Sequence, residues 1–135
     1  MIDVEKQIYK RIVNKLVIDF PDIFVYGESI PLLKAKFPCV VIEEQDNYTY
    51  NRTQDSGSLE NHAVVMYEVN VYSNRANGKK DECKAIQKII DEEFLTMGFS
   101  RLSSNNFSLN DATLYRIVSR YTGVVSKDET VYRRD

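Results

Sequence analysis

The chain is poor in the residue types on which most catalytic and metal chemistry depends. It has a single histidine, His62, and only two cysteines among 135 residues. The neighbours of His62 (Glu60, Asn61 and Ala63) supply no second ligand at a metal spacing. Cys39 and Cys83 are far apart and form no C-x-x-C pair, so they are expected to be buried, reduced thiols acting as small hydrophobes. There is no Trp, and with 5 Gly and 3 Pro the chain is neither low-complexity nor collagen-like. No G-x-S-x-G setting for a serine nucleophile is present. A glycine-rich phosphate loop is also absent, and Gly78-Lys79-Lys80 lacks the rest of such a motif. Net charge is −2, from 18 basic and 20 acidic residues. That balance gives no bulk positive field to recruit nucleic acid or anionic lipid. Apolar runs such as Ile23 to Tyr26 are far shorter than the roughly 20 residues of a membrane helix. The charged start, Met1-Ile2-Asp3-Val4-Glu5-Lys6, does not read as a signal peptide, so the triplets at Asn47, Asn51 and Asn106 are chance glycosylation matches. The expectation is a non-enzymatic chain with no cofactor and no metal.

What is present is clear patterning. The length suits one domain, residues 1–135, able to bury its own core. From about Asp3 to Asp19, Ile8, Ile12 and Leu16 recur at helical spacing, with Asp3 as the expected N-cap and Phe20-Pro21 as the stop. Ile23–Tyr26 reads as a short strand. A longer strand begins at Val40 and runs toward Tyr50. Asn51–Asn61 is a polar loop. His62–Ser73 alternates strictly: Ala63, Val65, Tyr67, Val69 and Val71 share one face, with Val64, Met66, Glu68, Asn70 and Tyr72 on the other. Lys79–Met97 is a second amphipathic helix, with Cys83, Ile86, Ile89, Ile90 and Phe94 in its stripe and Gly98 suited to end it. Phe99–Leu109 reads as a weaker strand, kinked near Ser103–Asn106. Thr113–Val125 alternates again, and Gly123 marks an expected bulge or bend. The order α-β-β-β-α-β-β implies an α+β fold. Two helices would pack on one face of a mostly antiparallel, possibly mixed, sheet of four to five strands.

Two clusters of side chains stand out. Glu43, Glu44 and Asp46 lie late in a strand, where Glu44 and Asp46 are expected on one face; a solvated strand end is favoured over a cation site. Tyr and Arg gather on strands and near the C-terminus. Tyr48, Tyr50, Arg52, Asp55, Tyr72, Arg116, Arg120, Tyr121, Tyr132 and Arg133 are the candidate interface residues. Tyr and Arg are enriched both at protein interfaces and on single-strand nucleic-acid platforms. The near-neutral charge favours the protein interface.

Certain stretches also carry a family resemblance. They are Val65-Met66-Tyr67-Glu68-Val69-Asn70-Val71-Tyr72-Ser73-Asn74, then Gly78-Lys79-Lys80, Ala85-Ile86, Ile90-Asp91 and Met97-Gly98-Phe99-Ser100-Arg101. Asn110-Asp111-Ala112-Thr113-Leu114-Tyr115-Arg116-Ile117-Val118-Ser119-Arg120-Tyr121-Thr122-Gly123 belongs with them. Together, over about residues 38–134, they resemble tail terminator, tail completion or minor capsid (head–tail joining) proteins of long-tailed phages and prophages. The resemblance implies an α+β structural protein of the virion, assembled in the host cytoplasm with no membrane contact. It implies a homo-oligomer, a hexameric ring, that caps the tail tube and meets the head connector. DNA would pass through it without sequence-specific binding. A head-completion or connector protein is the alternative within that class. A small nucleic-acid-binding domain is the alternative outside it.

Overall fold

In the computed structural model, residues 3–28, 35–49, 62–108 and 114–126 are described. The first helix, α1 (Glu5–Asp19), buries Ile8, Ile12 and Leu16, the stripe its spacing predicts. Its start differs by one position from expectation. Val4 holds the cap position, while the Asp3 carboxylate one residue earlier accepts the Glu5 N–H at 3.1 Å. The end is as expected: the Phe20 N–H closes on the Leu16 carbonyl at 2.8 Å, and Pro21 follows.

Five strands form one sheet in the order β1-β2-β3-β5-β4. They are β1 (Phe24–Tyr26), β2 (Cys39–Thr49), β3 (His62–Ser73), β4 (Ser100–Ser108) and β5 (Tyr115–Ser126). β1 runs parallel to β2 and the other pairings are antiparallel. The sheet is therefore mixed and the class α+β. Ala63, Val65, Tyr67, Val69 and Val71 of β3 are fully buried, and they share one core with the α1 stripe and with Cys83, Ile86, Ile90 and Phe94. Both helices thus cover the same face of the sheet. Val4, Val40, Ile42, Met97, Ile117 and Val125 also belong to that core. Cys39 and Cys83 are buried free thiols, and burial pushes each up to about 12, which leaves them protonated and inert as nucleophiles.

The end of α2 (Lys79–Thr96) decides how the core closes. Gly98 sits at φ +98°, the left-handed position that glycine adopts without penalty. The Gly98 N–H bonds back to Leu95 and the Phe99 N–H to Phe94, both at 3.0 Å. This double closure is a Schellman turn. It reverses the chain so that Phe99 enters the core. There it packs edge-on against Phe94 at 5.3 Å and Tyr67 at 6.0 Å. Tyr121 stacks on the other side of Phe94 at 4.3 Å, the rings nearly parallel.

Two expectations are corrected by the sheet. Gly123 is not a bulge, since β3 and β5 stay in unbroken register from Ser73↔Tyr115 to His62↔Ser126. Instead the glycine leaves room for the Phe99 ring. Glu44 and Asp46 do not share a face. A register shift between them makes Gln45 the extra residue of a bulge, so that Glu44 pairs with Tyr67 and Asp46 with Met66. Glu44 therefore faces the helices and Asp46 the opposite side.

Candidate interaction surface

The sheet face turned away from the helices carries the even-numbered residues of β3 and β5. Their register places Tyr72 opposite Arg116, Asn70 opposite Val118 and Glu68 opposite Arg120. Side chains link along this face into a continuous line. The Arg116 guanidinium lies 5.7 Å from the centre of the Tyr72 ring. Its Nε donates to Asn70 Oδ1 at 2.8 Å. Asn70 Nδ2 donates to Glu68 Oε1 at 3.1 Å. The other Glu68 oxygen meets Arg120 Nη2 at 3.6 Å. Phe37 abuts the Tyr72 ring edge-on at 6.5 Å. Burial raises the Tyr72 phenol, opposed by the Arg116 charge, so it stays a neutral donor at physiological pH.

Chemically, this line is a pre-ordered row of polar and aromatic side chains. Its members are held in place by one another, so little rotamer entropy remains to be lost on contact. Val41 and Val118, buried on the same face, give it an apolar floor. Asn70 is itself buried, and its amide is used on both sides, which fixes where the two arginines point. At the far end of the face Tyr48 is 53% exposed and lies in register with Val64, which pairs with Val124. An aromatic–aliphatic patch therefore adjoins the polar line.

The structure brings Tyr72, Arg116 and Arg120 together and puts Tyr48 on the same face. Tyr121 must be removed from the interface set. It is 0% exposed and lies under α2, where its hydroxyl donates to Asp91 at 2.9 Å and accepts from Gln87 Nε2 at 2.7 Å. Burial and the Asp91 carboxylate both push its pKa upward. Arg101 holds the same Asp91 oxygen at 2.9 Å, tying β4 to α2. Tyr50, Arg52, Asp55, Tyr132 and Arg133, and the loop 51–61, lie outside the described residues. Glu68 and Asn70 are the two members that composition alone did not single out. Their signal was parity: both fall on the β3 face opposite its buried row.

A second feature lies beside α1. Asp3, Glu5, Lys6, Tyr9, Gly27 and Ile42 line an open cleft of about 410 Å³. On the same side of the sheet, Glu44 accepts from the buried Tyr67 hydroxyl at 3.1 Å. The Glu5 carboxyl is raised by desolvation first and then by Glu44, Asp3 and Glu43. A carboxyl raised in the folded state contributes stability when protonated, and that contribution is lost as pH rises through its folded value. Lowering the pH from neutral toward 4.5, the ordinary value of the group, should therefore stabilise the wild type through this site. Glu5→Gln should lack that increment, a difference of a few tenths of a kcal/mol. Parallel denaturant titrations across this pH range measure it, and identical pH slopes would count against the repulsion. Among the described residues, no group of three or more His, Cys, Asp or Glu is placed to hold a metal ion. Nor is any helix among them long and apolar enough to cross a membrane.

No protein-family model matches the chain, and no curated protein matches it either.

Proposed function

We propose that the chain is a structural component of a phage-type tail, acting as a homo-oligomeric ring that ends the tail tube and meets the head connector. The observation that carries this reading is the pre-ordered Tyr72–Arg116–Asn70–Glu68–Arg120 line on the sheet face opposite α1 and α2. Anchored Tyr and Arg side chains over an apolar floor are what a protein interface uses for its strongest contacts. The two segments that carry the resemblance meet here. Val65–Ser73 lies in β3, and the part of the second segment from Tyr115 to Gly123 lies in β5, its partner in register. A ring of copies would let DNA pass through without sequence-specific contacts, in keeping with the balanced charge of the chain.

Mixing the purified chain with tail-tube protein tests the reading. Negative-stain images should show tubes of finite length, each capped by a ring, and light scattering should give a matching multiple of the 15.7 kDa chain. Capture by portal protein instead would move the role to head completion. A chain that remains monomeric with both partners would overturn the proposal. Arg120→Ala sharpens the test. Its ion pair with Glu68 is partly solvated and worth at most about 1 kcal/mol to the fold. Thermal stability should therefore hold while the apparent assembly affinity falls about tenfold or more.

A further inference from the structure

The two edges of the sheet are guarded very differently. An open strand edge presents unpaired N–H and C=O groups, and proteins protect it by shortness, charge, proline or a bulge. At one edge β1 is only three residues long. At the other, β4 is nine residues long. Among the described residues it pairs with β5 alone. A register shift between Arg101 and Ser103 turns its beginning. From Ser103 to Ser108 the register is then regular, and the stretch Ser103-Ser104-Asn105-Asn106-Phe107-Ser108 contains neither charge nor proline. Ser104, Asn105 and Asn106 are exposed. The nearby cation, Arg101, is committed to Asp91 and does not guard the edge. Two exposed leucines flank it: Leu102 at 52% and Leu95 at 49%. Leu95 lies one helical turn beyond Asp91, on the side of α2 that holds Arg101.

We propose that this β4 edge is an interface between two copies of the chain, β4 adding antiparallel to β4 across a two-fold axis. The chemistry of the stretch selects a second copy as the occupant. In a two-fold antiparallel contact the residue k places before the axis faces the residue k places after it, so a charge at the axis would meet its own copy. This edge has none. Asn and Ser both donate and accept, so each is its own complement. With the axis at Asn105, Ser104 faces Asn106 of the other copy and Asn105 faces its twin. The inference goes beyond the ring reading and does not rest on it. A two-fold pair has no place between neighbours of a ring with one tail-facing and one head-facing side, so this contact belongs to the free chain before assembly.

Cysteine cross-linking of the full chain tests the geometry directly. Facing Cα atoms in an antiparallel pair are about 4.5–5.5 Å apart, within the reach of a disulfide. Asn105→Cys should therefore form a covalent dimer under mild oxidation, more completely than Ser104→Cys or Asn106→Cys. The native Cys39 and Cys83 are buried and should not compete. Sedimentation velocity supplies the second arm. The wild type should dimerise reversibly, and Asn105→Lys, at an exposed position, should weaken the dimer about tenfold or more with an unchanged circular dichroism spectrum and melting temperature. A wild type that is monomeric at all concentrations would overturn the proposal. So would an assembly that Asn105→Lys leaves intact and Asn105→Cys fails to cross-link. Tail-tube capping is read separately, so loss of that activity with retained cross-linking would sink the ring reading and leave this contact standing.

Discussion

Phe94→Ala should lower the free energy of unfolding by about 3–5 kcal/mol. Phe94 is the ring with most partners in the aromatic core: it meets Tyr67, Phe99 and Tyr121. It is fully buried, so truncation removes transfer free energy and leaves a cavity. The neighbours cannot collapse freely into that space. Tyr121 is anchored by Gln87 and Asp91, and Phe99 is fixed by the Gly98 turn. A domain of ordinary stability holds only about 5–15 kcal/mol in total, so the variant should unfold at a much lower denaturant midpoint, with a similar slope. Leu95→Ala is the control. It changes the adjacent residue of the same helix, where the side chain is half exposed, and should cost no more than about 0.5 kcal/mol. Similar losses at the two positions would show that helix propensity, not the aromatic core, sets the stability.

The elements that were legible in the sequence are those whose periodicity survives intact. β3 was readable to the residue because Ala63 through Val71 alternate without interruption, and α2 to within one residue because its stripe ends near a glycine that can turn left-handed. Features that depend on register were not. The bulge at Gln45 leaves no mark in composition, yet it sends Glu44 and Asp46 to opposite faces. At Gly123 the sequence suggests a bulge or bend, whereas the close contact that needs the glycine is with Phe99, a residue distant in sequence. The interface set was partly legible for the same reason. Arg116 and Arg120 share parity along β5, and Tyr121 does not; grouping it with them by composition alone placed a core residue on the surface. Parity along β3 puts Glu68 and Asn70 on that face, but their part in aiming the two arginines depends on the register of β3 against β5.

Gly123→Ala opposes two effects of known size. Within a strand, replacing Gly by Ala gains roughly 0.5–1 kcal/mol, because the glycine loses more freedom on folding. The backbone here adds no penalty of its own, since the described glycines with positive φ are Gly78 and Gly98. The steric term is the larger. A Cβ at this site would lie 2.7 Å from Phe99 Cδ1, 2.8 Å from Cε1 and 3.1 Å from Cγ. These are contacts with the body of a ring, not the end of a flexible chain, and that ring is wedged against Tyr67 and Phe94. Overpacking of this kind costs about 1–3 kcal/mol, so the net change should be destabilising. The cause can be isolated with Phe99→Leu, which removes the obstructing ring and destabilises the protein by itself. In the double variant the added methyl has somewhere to go. The two losses should therefore fall short of additive by about 0.5–3 kcal/mol in a double-mutant cycle. If Gly123→Ala stabilised the protein, or if the two changes simply summed, the ring contact would not be what requires glycine at this position.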